Sequence, residues 1–477
     1  MIFNSFQFLW LFPIIFMVFS LFLTGGGRLY RAQNLMLIVT SYLLYIQWNP
    51  WYSLVLFYVT VCTFFGAKLL YKKSSKMILA SLLSLMALTP LLVFKYWNFS
   101  IENINQMFSK CDVCYSLPGL NWAVPLGISF FSFQALGYML DVYHKRIEPE
   151  TDFMDYVLFV SFFPQIMSGP ISRAKDLLPQ IKAKRLFDYV KAVKGMKLLL
   201  WGMFMKCVFA DRIAMYADTV FNNYIHQSAS TLWLGSFAYS LQIYGDFAGY
   251  SLMAVGVGKA MGFDLVNNFN RPYFAKSITE FWKRWHISLT RWLTTHVYIA
   301  MGGNRCSIMK QYWNIMVTFI VSGIWHGANW TFIVWGVMHG ILQIVEKVLG
   351  LDPKGHLNGK TWIKRSAVVR MISTFCLVNI AWIFFRSPSI QDAFAFIHRM
   401  MTAGGELFID DNNSNNLMCL LAVMIVLIKE LFEEFKPSFS LFNNTSRIVR
   451  WASYVVVLCM ILMFGVLDSS QFIYVSF

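Results

Sequence analysis

Residues 311–347 read QYWNIMVTFIVSGIWHGANWTFIVWGVMHGILQIVEK. A helix that spans a bilayer needs about 20 mainly apolar residues, so this run is long enough for two crossings. Both flanks are basic, with Arg305 and Lys310 before the run and Lys347 to Arg365 after it. Basic loops favour the cytoplasmic side, and an even number of crossings returns both flanks to that side. The run therefore predicts a helical hairpin in a membrane.

The predicted hairpin turns within SGIWHGANW, residues 322–330. His326 is thereby placed at or near a helix break inside the membrane protein. An ionisable side chain there is costly and is a functional candidate by default. Gly323 and Gly327 allow close approach of a ligand, and Asn329 could orient the histidine or bind an oxyanion. A buried structural histidine bonded to a backbone carbonyl is the alternative interpretation.

The composition extends the membrane interpretation to the whole chain. Of 477 residues, 57% are hydrophobic and 13% are charged, whereas a soluble domain carries about 25% charged residues. The net charge of +16 would suggest nucleic-acid binding in a soluble protein, but here it is typical of basic cytoplasmic loops. We expect an all-α, polytopic integral membrane protein with a single domain over residues 1–477.

Apolar runs recur along the whole chain and predict about 11–13 transmembrane helices. They lie near residues 7–24, 33–48, 51–71, 77–95, 118–140, 196–216, 231–261, 311–324, 328–347, 366–386, 415–432 and 449–467. Basic clusters after alternate spans predict an external N-terminus. These clusters are Arg28 with Arg31, Lys72 to Lys76, and His144 to Arg146. The same parity puts Cys111 and Cys114 outside, where a disulfide could form.

Residues 153–170 form an apolar run that is not a plain span. The run contains Pro164, Gly169 and Pro170, and a strongly basic stretch over residues 173–197 follows it. A re-entrant or interfacial element keeps that basic stretch inside. Broken backbone at membrane depth is tolerated only when it is buried in protein or lines a cavity, so we expect this segment to form part of a cavity wall.

Residues 281–296 have the periodicity of one amphipathic helix. A single stripe carries the apolar side chains together with His286 and His296. Such a helix is expected to lie in the membrane interface, a depth that suits its tryptophans. From periodicity alone, the favoured interpretation of His286 is an interfacial histidine satisfied by water or headgroups.

Asp246 and His339 are further candidates among the ionisable residues of the predicted spans. Asp246 is surrounded by apolar residues, and a carboxylate there should be paired or line a polar cavity. His339 follows His326 by 13 residues, about 220° round an ideal helix, so we expect it to face elsewhere. The sequence lacks a serine-hydrolase elbow, a zinc-binding H-E-x-x-H motif and a Walker phosphate loop, and nothing in it indicates a bound metal or redox cofactor.

Four segments resemble the membrane-bound O-acyltransferases, in particular the bacterial branch that contains the alginate O-acetyltransferase membrane subunit. They read SFFPQIMSGPISR (161–173), YGDFAGYS (244–251), NFNRPY (268–273) continuing to FWKRWHISL (281–289), and SGIWHGANWTF (322–332). The segments occur in the same order as in the family. The resemblance covers roughly residues 120–345 and implies the family's fold of transmembrane, re-entrant and interfacial helices.

The resemblance implies that His326 is the catalytic histidine and His286 is the second signature histidine, on the cytoplasmic side. The residues predicted to support catalysis or line the substrate site are Trp285, Trp325, Asn329 and Asp246. The implied donor is an acyl thioester, acetyl-CoA, with no bound cofactor or metal. The basic regions over residues 173–197 and 283–310 are expected to attract its phosphates.

The resemblance also implies a location and partners. We expect a multi-pass protein of the bacterial inner membrane that serves O-acetylation of an exported or cell-surface polysaccharide. An extracytoplasmic acetyltransferase or a polysaccharide export protein is the expected partner. The acceptor and the choice between acetyl and D-alanyl groups stay open. The leading alternative is a transporter or flippase, because interrupted helices and buried polar residues also mark transport sites; a structural subunit that recruits a soluble transferase is the third.

Overall fold

The chain is all-helical wherever its structure is described. The computed structural model describes residues 3, 5–23, 30–72, 77–112, 115–166, 168–351, 362–409, 413–436 and 442–466, and all regular structure within them is helical. The all-α class is thereby confirmed. The remaining residues include Arg28, Lys73, Lys76 and Cys114, so the predictions that rest on them, among them the disulfide between Cys111 and Cys114, lie outside the described residues.

The chain divides into two compact units. The first contains Met1–Gly195 with Val257–Val266. Its helices are α1 (Phe6–Leu23), α2 (Tyr30–Ile46), α3 (Pro50–Lys72), α4 (Met77–Leu91), α5 (Trp97–Lys110), α6 (Ile128–Tyr143), α7 (Phe153–Ser161), α8 (Phe163–Ile166) and α9 (Ala174–Lys182). Within this unit α3 packs against α4 and α6, and α2 packs against α7. The single domain over residues 1–477 stays a prediction.

The second unit contains Met196–Gly256 with Asn267–Phe477. Helices α10 (Tyr189–Met203) and α12 (Ala229–Ala260) have residues in both units. The other helices of the second unit are α11 (Asp211–Asn222), α13 (Ile278–Arg284), α14 (Ile287–Leu293), α15 (Ile308–His326), α16 (Trp330–Val348), α17 (Trp362–Arg386), α18 (Ile390–Thr402), α19 (Asn413–Phe435) and α20 (Arg447–Phe464). Wider π-helical turns occupy Leu92–Tyr96, Phe204–Ala210 and Thr294–Tyr298.

Six helical runs of the described chain are long and apolar enough to cross a membrane. They are Pro50–Lys72, Met77–Lys110, Trp330–Val348, Ala367–Arg386, Ser414–Phe435 and Arg447–Phe464. Helix α20 exposes Val455, Leu458 and Leu462, and apolar faces of this kind match the hydrocarbon of a bilayer. The membrane class is confirmed, while the count of 11–13 spanning helices stays a prediction.

Two predicted apolar runs differ from continuous helices: one becomes helical late, and the other is interrupted. The apolar run near residues 118–140 becomes helical only at Ile128, after Gly127 in the left-handed conformation (φ 71°). The run over residues 153–170 is broken at Phe162 into α7 and α8, and most of it is buried. Its interrupted backbone is therefore confirmed, and its re-entrant or interfacial position stays a prediction.

The predicted hairpin is formed by α15 and α16. Helix α15 ends at His326, and the Asn329 side chain begins α16 by accepting the Thr331 N–H at 3.0 Å. The two backbones approach very closely at glycines. A Cβ added to Gly323 would lie 2.3 Å from the carbonyl oxygen of Phe332, and one added to Gly336 would lie 2.3 Å from that of Phe319. Small residues permit such packing between membrane helices.

Replacing Gly323 by alanine should therefore push α15 away from α16. The new methyl group would meet backbone rather than a flexible side chain, so we expect a loss of roughly 1–3 kcal/mol in stability. The matched control is Gly404→Ala, since an added Cβ there meets nothing within 4 Å. Thermal unfolding of both variants in detergent checks this; equal melting temperatures would contradict the close packing.

Candidate active site

The two histidines singled out from the sequence lie together in the second unit. His326 is the last residue of α15, and His286 separates α13 from α14. Their ring centroids are 6.4 Å apart, at an interplanar angle of 65°. Both side chains are buried, with relative exposures of 2% and 0%. Two imidazoles at two helix breaks therefore share one site.

The prediction of one continuous amphipathic helix over residues 281–296 is wrong. The chain is extended at Trp285 (φ −103°, ψ 131°) and left-handed at His286 (φ 43°, ψ 53°), so α13 ends before these residues and α14 begins after them. The apolar stripe is still buried at most of its positions, which explains why its periodicity was helical. A left-handed histidine is uncommon, and such conformations cluster at functional sites.

Aromatic rings enclose the histidine pair. The Trp325 ring lies 4.9 Å from that of His326 and 5.7 Å from that of His286, measured between centroids. Phe247 lies 4.7 Å from His286, and Trp335 lies 5.0 Å from His326. Burial in these surroundings lowers the pKa of His286 to about 3. Burial penalises the charged form and therefore favours the neutral imidazole at His286.

The predicted supporting residues fall in different places. Trp325 contacts both histidines, whereas the Trp285 ring packs 5.5 Å from Phe281 and 5.0 Å from Trp382. The Asn329 side chain caps α16, and its Nδ2 donates to the carbonyl of Pro388 at 2.8 Å. Its role at the histidine stays a prediction.

Asp246 forms a buried ion cluster. Lys206 Nζ lies 2.6 Å from a carboxylate oxygen of Asp246 and 2.6 Å from one of Asp211, and all three side chains are at most 2% exposed. Of the two roles open to Asp246, the structure shows the salt bridge. The next residue, Phe247, contacts His286, so the cluster lies beside the site. Lys206 was not predicted from the sequence, although a lysine in the middle of a predicted span calls for a carboxylate partner.

His339 lies closer to the site than the helical angle predicted. Its Nδ1 accepts a hydrogen bond from Trp282 Nε1 at 3.3 Å, and its ring lies 5.0 Å from that of Trp335, which also contacts His326. The angle assumed one continuous helix. The break between α15 and α16 turns the chain back and brings His339 near Trp335, while the expectation that its side chain faces away from His326 stays a prediction.

A cavity of about 400 Å³ lies within the second unit, and its wall includes residues near both histidines in the chain but neither histidine itself. Ser322, one turn before His326, belongs to its wall, as do Thr290 and Leu293, one and two turns after His286. Lys283 and Lys347 add positive charge. The other lining residues are Thr279, Trp282, Thr294, Tyr298, Asn304, Ile315, Thr318, Phe319 and Gln343. No cluster of three or more His, Cys, Asp or Glu side chains suited to a metal ion occurs in the described part of the chain.

These features define a polytopic membrane protein with a buried histidine pair, and comparison with known proteins identifies the class. The model of the membrane-bound O-acyltransferase family matches residues 144–388. The chain belongs to this family of acyltransferases and is a multi-pass membrane protein.

Curated relatives come from several bacteria. The chain is similar to the probable alginate O-acetylase AlgI of Pseudomonas aeruginosa, at 35% identity over 87% of this chain and 78% of the relative. It is similar to the peptidoglycan O-acetyltransferase of Helicobacter pylori, at 34% identity over 78% of this chain and 74% of the relative. Similarity to the teichoic acid D-alanyltransferase of Bacillus subtilis is 28% identity over 46% of this chain and 58% of the relative.

Proposed function

We propose that this protein takes an acetyl group from a cytoplasmic thioester, acetyl-CoA, and delivers it through the membrane for O-acetylation of an exported or cell-surface polysaccharide. The observation that carries the proposal is the buried pair of His286 and His326, whose rings are 6.4 Å apart, within an acyltransferase family. Relatives named for alginate and peptidoglycan O-acetylation align over most of the chain, which supports a polysaccharide acceptor.

His326 acts as the general base of the proposed transfer. A neutral imidazole accepts the proton of the acceptor hydroxyl, whose oxygen then attacks the thioester carbonyl. A C–O bond forms, the C–S bond breaks, and the proton passes from the imidazole to the departing thiolate. An ester and a free thiol result, without any oxidant or net proton release. The neutral His286 beside it supports the same chemistry as a hydrogen-bonding partner of the reacting groups.

The cavity of about 400 Å³ is the proposed donor site. Lys283 and Lys347 place positive charge in its wall, which suits the phosphates of a nucleotide thioester. Ser322 lines the same cavity one turn before His326, and the proposal requires the thioester end of the donor to extend from there to the histidine.

Reversing one of these charges should weaken donor binding. For Lys283→Glu we expect KM for acetyl-CoA to rise about tenfold, with a smaller change in kcat, because the charge acts on bound phosphates rather than on the reacting atoms. Lys436→Glu makes the same charge change at an exposed position outside the cavity wall and should leave KM unchanged. An equal KM in the two variants would place the donor elsewhere.

The direction of transfer is tested in sealed proteoliposomes. Radiolabelled acetyl-CoA is supplied on one face and an acceptor polysaccharide or membrane extract on the other, for each orientation of the protein. We expect label to appear in ester linkage on the face opposite the donor. Ester formed only on the donor's face would exclude delivery across the membrane. Label that crosses as intact donor would favour a transporter instead. An extracytoplasmic acetyltransferase or a polysaccharide export protein is the expected partner, and its addition should speed ester formation.

A further inference from the structure

His286 is the residue before α14, and its side chain does not accept a hydrogen bond from the first N–H groups of that helix. The first N–H groups of a helix have no acceptor inside it. A side-chain oxygen of the residue before the helix usually accepts one of them, from an extended backbone. His286 occupies that position but is left-handed, and its side chain makes no capping hydrogen bond. Another part of the chain must therefore satisfy these groups.

Asn268 supplies both acceptors. Its backbone carbonyl oxygen accepts the N–H of Ile287 at 2.9 Å, and its side-chain Oδ1 accepts the N–H of Ser288 at 3.1 Å. Ahead of the break, the N–H of Asn270 donates to the carbonyl of Arg284 at 2.9 Å. Hydrogen bonds from one short segment thus hold the backbone on both sides of His286.

The hydrogen bond from Ser288 fixes which atom of the Asn268 amide faces α14. The Asn268 side chain is 1% exposed, and only the oxygen of the amide can accept the Ser288 N–H. Asn268 lines a separate cavity of about 240 Å³, together with Ser251, Tyr244 and Glu430. The adjacent Phe269 ring lies 5.0 Å from Phe247, which in turn contacts His286.

We propose that Asn268 is a positioning residue for the acyl-transfer reaction: it caps α14 from outside and thereby holds His286 left-handed, with its imidazole facing His326. Only the kinetic part of this inference rests on the proposed function; the backbone conformation of His286 does not depend on it. A histidine that capped its own helix would use its ring on backbone N–H groups. Because Asn268 accepts the first N–H groups of α14, the cap does not require the imidazole.

The test compares three variants with the native protein. Asn268→Ala removes the side-chain acceptor, Asn268→Asp keeps an acceptor oxygen at the same place, and Asn267→Ala is the matched control at an exposed neighbour. Hydrogen exchange of the peptide that contains Ile287 and Ser288 reports the cap directly. We expect faster exchange there in Asn268→Ala, with native-like protection restored in Asn268→Asp and unchanged in Asn267→Ala.

Kinetics supply the second readout. We expect kcat for acetyl transfer to fall roughly 10- to 100-fold in Asn268→Ala, with KM for the donor unchanged, because a displaced catalytic group loses reactive geometry rather than binding. Asn268→Asp should recover most of kcat. Exchange and kcat in Asn268→Ala equal to those of Asn267→Ala would overturn the proposal, as would a kcat loss that Asn268→Asp does not recover despite restored protection. If the native protein transfers no acetyl group, the proposed function fails while the exchange experiment still decides whether Asn268 holds the His286 backbone.

Discussion

Replacing His326 by alanine is expected to lower kcat for acyl transfer by roughly 10²- to 10⁴-fold, the range that general base catalysis contributes. The imidazole is buried between Trp325 and Trp335, so bulk water has little access to take over as the base. Binding of the donor should change little, because the lysines of the cavity wall remain. The loss should therefore appear in kcat, measured as free thiol released per protein, rather than in KM.

Folding must stay intact for this loss to be interpreted as chemistry. His326→Gln keeps a polar side chain of similar reach and should be equally inactive, with a melting temperature close to that of the native protein. His398→Ala serves as the control, since His398 is an exposed histidine on α18. Activity of His326→Ala within a fewfold of the control would remove His326 from the reaction.

Replacing Lys206 by methionine should have the largest effect on stability. Lys206 Nζ lies 2.6 Å from a carboxylate oxygen of each of Asp211 and Asp246, and the cluster is shielded from water. The substitution would leave two carboxylates buried without their cation. Breaking a buried ion pair from one side costs about 3–5 kcal/mol, so we expect a large drop in melting temperature and in yield of folded protein.

The matched variant is Asp246→Asn. It leaves Lys206 paired with Asp211 as a neutral ion pair, and the amide can still accept a hydrogen bond from Lys206. We therefore expect a much smaller loss than in Lys206→Met. The double variant with methionine at 206 and asparagine at 246 should be more stable than Lys206→Met alone. Thermal unfolding in detergent ranks the three proteins; equal losses for the two single variants would show that the charges are not coupled.

The hairpin and its histidine could be predicted from the sequence because local signals coincide there. The apolar run is too long for one crossing, its flanks are both basic, and the small residues around His326 interrupt it. The structure places the break between His326 and Trp330. His286, the predicted partner histidine, lies at the same site. Its role as a partner was predicted from the family resemblance and not from periodicity.

The helix break at His286 and the partner of Asp246 could not be predicted from the sequence, because both depend on contacts between residues far apart in the chain. The break at His286 is held by Asn268, which lies 18 residues earlier, so helical periodicity across residues 281–296 carried no sign of it. Likewise, Lys206 and Asp246 are 40 residues apart in different helices, and only the fold pairs them. Tertiary hydrogen bonds and ion pairs of this kind override local propensity.

The most direct test follows thioester and ester together in one reaction. Native protein in proteoliposomes is given acetyl-CoA and acceptor, and free thiol and new ester are counted in the same sample over time. If His326 transfers the acetyl group, one ester should form for each thiol released, and both should vanish in His326→Ala while His398→Ala retains them. No thiol release by the native protein, with labelled donor crossing the membrane intact, would contradict acyl transfer and identify a transporter.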